Sequence, residues 1–160
     1  MTDQSTEKIL GSQVILVADG NPNTRRLTRQ ILAHIGVRLA HECGDGFAAV
    51  EAISSYKPNA MILDWEMPGL SGSEIMKVIR QPDHFPLPNL PVIMLTDHAS
   101  RARIAEAIRI GAHEILVRPI SPLALRDRLV AVALHPRPMV RAGKFYIPQP
   151  RRRVDLSELI

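Results

Sequence analysis

The chain has 160 residues, 46% of them hydrophobic and 22% charged, the size and composition of one ordinary globular domain with a short appendage. That balance excludes a disordered, collagen-like or disulfide-stapled chain, and the single cysteine, Cys43, reads as a small buried side chain without redox chemistry. The net charge of +4 belongs to the end of the chain: residues 1–134 carry equal numbers of basic and acidic groups, whereas residues 135–160 carry six basic and two acidic.

The start, MTDQSTEK, is polar and lacks the apolar segment of a signal peptide, and no apolar run nears the roughly 20 residues that cross a bilayer. Residues 1–11 are therefore expected as an N-terminal tail and the protein as cytoplasmic, with no membrane partner. Strand one is VILVA from Val14, and behind Pro22 a helix carries Leu27, Ile31 and Ile35 at helical spacing. VRLAH from Val37 is strand two. Gly44-Asp45-Gly46 is too short for a phosphate loop and reads as a turn in which Asp45 caps the next helix, with Val50 and Ile53 on its buried face. AMILD from Ala60 is strand three, followed by the turn-rich WEMPGLSG and a helix with Ile75, Val78 and Ile79. The segment QPDHFPLPNLP has four prolines, so that helix stops near Gln81 and a stiff loop leads to strand four, PVIMLT from Pro91. A helix with Ile104 and Ile108, strand five, EILV from Glu114, and a helix with Leu125, Leu129 and Val132 complete the pattern. Strands alternating with helices indicate βαβ units and a parallel α/β sheet over residues 12–134, and the continuous apolar strands fit a sheet covered on both faces.

Residues 135–160 form a basic, proline-rich C-terminal extension. Met139-Val140 and Phe145-Tyr146-Ile147 flank Ala142-Gly143, a turn candidate, and either pair as a hairpin or add to a sheet edge. VDLSELI reads as a short amphipathic helix. Arg141, Lys144 and Arg151 to Arg153 mix with aromatics, yet no DNA-binding motif is present, so nucleic acid is the weaker reading and protein docking the preferred one. The docking partner is the chain's own domain, a second protomer or a kinase.

In an open parallel sheet, ligands gather where the strands reach their carboxyl edge. Asp19 ends strand one, Asp64 strand three, Thr96 with Asp97 strand four, and Arg118 followed by Pro119 strand five. Each alone reads as a cap. Together they suit acceptance of a phosphoryl group by a carboxylate, the anion being held by a metal, a hydroxyl and a cation. Asp64 is the best nucleophile because a buried strand fixes it and the loop after it offers backbone amides. Trp65 beside it packs or shields the site, and Asp97 reads as a cap of the following helix. The six histidines show no metal-ligand spacing.

At this point ILVADGN, ILDWEMPGLSG, PVIMLT, Gly111-Ala112 and LVRP together resemble the receiver domains of two-component response regulators, as in chemotaxis regulators. The resemblance implies a flavodoxin-like, doubly wound five-stranded parallel sheet of order 2-1-3-4-5. It also implies phosphate transfer to Asp64 from a histidine kinase or histidine phosphotransfer protein, with Mg²⁺ held by Asp19, Asp64 and the backbone carbonyl of Glu66. Three departures stand out. Gly20 occupies the place of a second acidic residue, which weakens the Mg²⁺ site, although the Glu66 side chain has room to lean inward. Arg118 replaces a lysine, exchanging a compact ammonium for a planar fork that can pair bidentately with Asp64 or meet phosphoryl oxygens with Thr96. Ile115 replaces an aromatic switch residue.

Two functions follow. The first is a single-domain, non-enzymatic phosphoacceptor whose output passes by protein contacts to an effector. Those contacts, or a homodimer, would use either the face of the helix after strand four, strand five and the last helix, or the extension. The second is a degenerate receiver, held by Arg118 and Asp64, that binds partners without phosphorylation.

Overall fold

The alternating strands and helices assemble into one parallel sheet in the computed structural model, which describes residues 3–150. The strands β1 (Val14–Ala18), β2 (Leu39–Cys43), β3 (Ala60–Asp64), β4 (Val92–Thr96) and β5 (Glu114–Val117) lie in the order β2-β1-β3-β4-β5. All four pairings are parallel. Every residue of β3 and β4 is buried, which explains their unbroken apolar sequences.

Successive side chains on a strand point to opposite faces, and β1 shows the consequence. Leu16 and Ala18 join one core layer, under α3 (Gly46–Tyr56), α4 (Gly72–Ile79) and α5 (Arg101–Arg109). Ile15 and Val17 join the other, under α1 (Asp3–Gly11), α2 (Pro22–Ile35) and α6 (Pro122–Leu134). The sheet is thus wound on both faces.

Two elements differ from the sequence expectation. The polar start is not wholly a tail, since α1 packs on α6 and places Leu10, fully buried, beside Leu32 and Leu129. Its signal was faint because a single turn of helix carries Ile9 and Leu10 among polar residues. Strand β2 begins at Leu39 rather than Val37, because the end of α2 claims the preceding residues. Gly36 takes the left-handed conformation (φ 109°), and the Val37 amide donates to the Leu32 carbonyl at 2.9 Å, a Schellman closure that buries Val37.

Residues 135–150 of the extension fold back on the domain. Strands β6 (Met139–Ala142) and β7 (Phe145–Pro148) pair antiparallel across a two-residue turn, where Gly143 supplies the positive φ of 62° that such turns need. The hairpin rests on the amino edge of the sheet, away from the strand ends that carry the polar residues. There Tyr146 Oη donates to Asn89 Oδ1 (2.7 Å) and Arg137 donates to the carbonyl of His113. Arg80, buried at the end of α4, donates to the carbonyls of Gly111 and Pro88 and closes the same junction. The helix read in VDLSELI lies outside the described residues. Among the described residues no helix is long and apolar enough to cross a membrane.

If α1 belongs to the domain, Leu10→Ala should cost ~2–4 kcal/mol, as for other buried leucines. A urea midpoint unchanged from wild type would show that residues 3–11 contribute nothing to the fold.

Candidate functional site

Asp19 leaves β1 into the turn before α2, and each of its carboxylate oxygens is occupied. Oδ1 accepts the Asn21 amide at 2.9 Å, while Oδ2 accepts the Thr24 hydroxyl at 2.5 Å and Arg118 Nη2 at 3.2 Å. The Arg25 guanidinium donates to the Asp19 carbonyl at 2.6 Å and its Nε lies 3.5 Å from Glu42, so the turn is braced from the side as well. Thr24 and Arg25 went unnoticed in the sequence. Their only signal was a place in the first turn of a helix beside Asp19, which surface residues share.

Asp64 is the last residue of β3. Its Oδ1 accepts the Glu66 amide at 3.2 Å and Arg118 Nη1 at 3.3 Å, while Oδ2 accepts no hydrogen bond among the described residues. One oxygen is therefore fixed and the other left unengaged. Burial pushes the carboxyl up from its ordinary value, outweighing the pull of Arg118 and of the Glu66 amide, and Asp19 adds to the push. For Arg118, burial opposes the charge, but Asp64, then Asp19 and Asp97, prevail and raise its pKa.

Arg118 follows β5, and its amide donates to the Thr96 carbonyl at 2.9 Å. The bidentate pair with Asp64, one of the two arrangements open to the fork, does not form. One nitrogen goes to each of Asp64 and Asp19, because the ends of β1 and β3 lie side by side and the planar fork spans them; Asp97 stands 3.6 Å from Nη1. Pro119 follows through a cis peptide and is exposed. Thr96 is buried on the neighbouring strand, and its hydroxyl exchanges hydrogen bonds with the backbone of His98 rather than with Asp64.

Of the neighbours, Glu66 and Asp97 depart from expectation, and Trp65 packs, one of the two roles expected of it. Glu66 does not lean inward: its side chain is 74% exposed and meets Arg103 at 3.5 Å. Trp65 packs under the same arginine, whose guanidinium carbon lies 4.3 Å from the ring centroid. Asp97 does not cap α5, since Ser100 does so by accepting the Arg103 amide. By contrast Asp45 caps α3 as its sequence indicated.

These residues fit a divalent cation poorly. The Asp19 oxygens are taken, a guanidinium links the two carboxylates, and a Cβ added at Gly20 would lie 2.6 Å from Pro68 Cδ, so ring carbon fills the space of a third carboxylate. Among the described residues no three His, Cys, Asp or Glu side chains converge as metal ligands. What the pocket offers is a carboxylate with one unengaged oxygen beside a guanidinium that links it to Asp19.

The response regulator receiver domain family matches residues 15–130. The chain belongs to this family. Chemotaxis protein CheY-3 of Vibrio cholerae is 32% identical over 124 residues, 77% of this chain and 94% of that protein. Chemotaxis protein CheY of Pseudomonas aeruginosa is 30% identical over 115 residues, 72% of this chain and 91% of that protein. Among solved structures, Vibrio cholerae CheY4 superposes with a TM-score of 0.66 at 26% identity, covering 75% of this chain and 98% of that one. The receiver domain of a Pseudomonas aeruginosa sensor histidine kinase shares the fold, with a TM-score of 0.68 at 24% identity over 76% of this chain and 97% of its own; it holds a magnesium ion in its active site cleft.

Two tests of this receiver's pocket follow. Filling Gly20 with Ala should cost ~1–3 kcal/mol through overpacking, and adding Pro68→Ala should return most of it. Equal urea midpoints for Gly20→Ala and wild type would contradict the crowding. Because the Asp64 pKa is raised, the folded chain holds that proton more tightly than the unfolded chain. The associated stability is fully present below the ordinary value of 3.8 and is lost as pH rises through the raised one. Asp64→Asn, which never charges, should therefore melt above wild type at neutral pH, the gain vanishing towards the ordinary value. Paired thermal melts with the opposite sign would refute it.

Proposed function

We propose that this receiver accepts a phosphoryl group on Asp64 from a histidine-phosphorylated kinase or phosphotransfer protein. The observation that carries the reading is the asymmetry of the Asp64 carboxylate: Oδ1 is anchored by Glu66 and Arg118, and Oδ2 is unengaged beside a cation. Oδ2 attacks phosphorus and an O–P bond forms. The P–N bond to the donor imidazole breaks, its electron pair staying on that nitrogen, which is left as neutral imidazole or takes a proton from water. Arg118 turns from the carboxylates to the phosphoryl oxygens, and the Thr96 hydroxyl, one strand over, exchanges its His98 bonds for one of them. Receivers are regulators rather than conventional enzymes, so output passes through contacts with other proteins. The face of α5, β5 and α6, with Val117 and Leu123 exposed, is the surface we assign to it.

A second reading has its own observation. Arg118 already ties both carboxylates together, the arrangement expected of a receiver held in one state that binds partners without modification. Acetyl phosphate separates the two. Intact-mass measurement should show one added phosphoryl group on wild type and none on Asp64→Asn, with Arg118→Ala labelled about 10²–10³-fold more slowly. An unmodified wild-type chain would leave the second reading standing.

A further inference from the structure

We propose that Arg118 is this chain's own replacement for a divalent cation, so that the pocket takes a phosphoryl-type anion, and Asp64 is modified, without a metal ion. This rests on the reading of Asp64 as the phosphoacceptor. Four features that a metal could use are each given to something else. The two carboxylates share the guanidinium, at 3.2 Å from Asp19 and 3.3 Å from Asp64. Both Asp19 oxygens also serve the turn before α2, through the Asn21 amide and the Thr24 hydroxyl. The space beside Gly20 belongs to the Pro68 ring, and the Glu66 carboxylate is drawn outward to Arg103.

A hard cation that demands near-octahedral oxygen ligands has to break several of these contacts at once. The guanidinium needs to break none to remain. It carries permanent charge, and it presents parallel N–H donors that match the oxygens of a phosphoryl group. Since phosphoryl transfer depends chiefly on positioning and on stabilising charge spread over three oxygens, an arginine that turns from the carboxylates to those oxygens supplies in part what the ion supplies elsewhere. The covalent step is unchanged: with acetyl phosphate the Asp64 oxygen bonds to phosphorus as the bond to the acetate oxygen breaks, and acetate leaves with the electron pair.

Trp65, the only tryptophan, adjoins Asp64 and reports on the pocket by fluorescence. The full chain is titrated with magnesium chloride, and labelling by acetyl phosphate is followed by intact mass in EDTA and in magnesium. Wild type should show no saturable change at millimolar magnesium, and its labelling rate should differ by less than about twofold between the two conditions. Arg118→Ala should gain a saturable response and label at least about tenfold faster with magnesium than without. Arg118→Lys, which keeps charge but loses the fork, covers failure of the Ala variant to fold and should respond to magnesium likewise. Saturable magnesium binding by wild type, with labelling abolished in EDTA, overturns the inference and leaves the phosphoacceptor standing. No labelling in any condition, with magnesium binding only in the Arg118 variants, overturns the phosphoacceptor while supporting exclusion of the metal by Arg118.

Discussion

The carboxyl edge of this sheet is held together by one guanidinium. Asp19 and Asp64 end adjacent strands, and two buried carboxylates so placed repel unless a cation lies between them. Arg118 reaches them from β5, beyond β4. An ion pair near 4 Å is worth about 4 kcal/mol at an effective dielectric of about 20, and burying a carboxylate costs several kcal/mol. The terms are close, so local detail decides: at Asp64 burial prevails and the carboxyl is pushed up, whereas Arg118, with three acidic neighbours, keeps its charge. Asp64 is therefore held in a place that disfavours its charge even with a guanidinium beside it.

The loop after β3 shapes the other side of the pocket by close backbone approach. The Gly46 amide donates to the Pro68 carbonyl at 2.9 Å, and a Cβ at Gly46 would meet Leu70 at 2.4 Å. At the far end, a Cβ at Gly72 would lie 2.7 Å from the Asp64 carbonyl. The loop is pinned between two positions that only glycine permits, which seats Pro68 against Gly20. The missing acidic residue and the crowded loop are thus two aspects of one packing arrangement.

Much of the fold was legible because it rests on long-range patterns with strong physical causes. Apolar strands buried on both faces, helical spacing between them and proline stops gave the sheet, and the sequence places of Asp19, Asp64, Thr96 and Arg118 put them on one edge. What was not legible depends on a few tenths of an ångström or on a side chain's choice among neighbours. Sequence allowed Arg118 to grip Asp64 with both nitrogens, and only the geometry of adjacent strand ends divides the fork. Glu66 had room to turn inward, but Arg103, a helix away in sequence, draws it out. The hairpin of the extension could be read from its turn, whereas its docking place depends on Asn89 and the His113 carbonyl, which advertise nothing in one dimension.

An arginine stands at each edge of the sheet, Arg80 buried at the amino edge and Arg118 partly buried at the carboxyl edge, and their surroundings differ. Arg80 faces neutral acceptors, the carbonyls of Gly111 and Pro88 and the ring of His113, and burial lowers its pKa to about 9. His113 stays neutral beside it, its pKa lowered to about 3 by burial and by the Arg80 and Arg137 charges. No carboxylate is among those partners, so that arginine fastens loop, turn and hairpin into a static joint. Arg118 instead faces three carboxylates, those of Asp19, Asp64 and Asp97, and its fork geometry also matches phosphoryl oxygens. In the function proposed for Asp64, a phosphoryl group there would offer Arg118 new oxygens in exchange for those it holds. The same residue type thus meets neutral acceptors at one edge and carboxylates at the other, and what surrounds it decides what it can do.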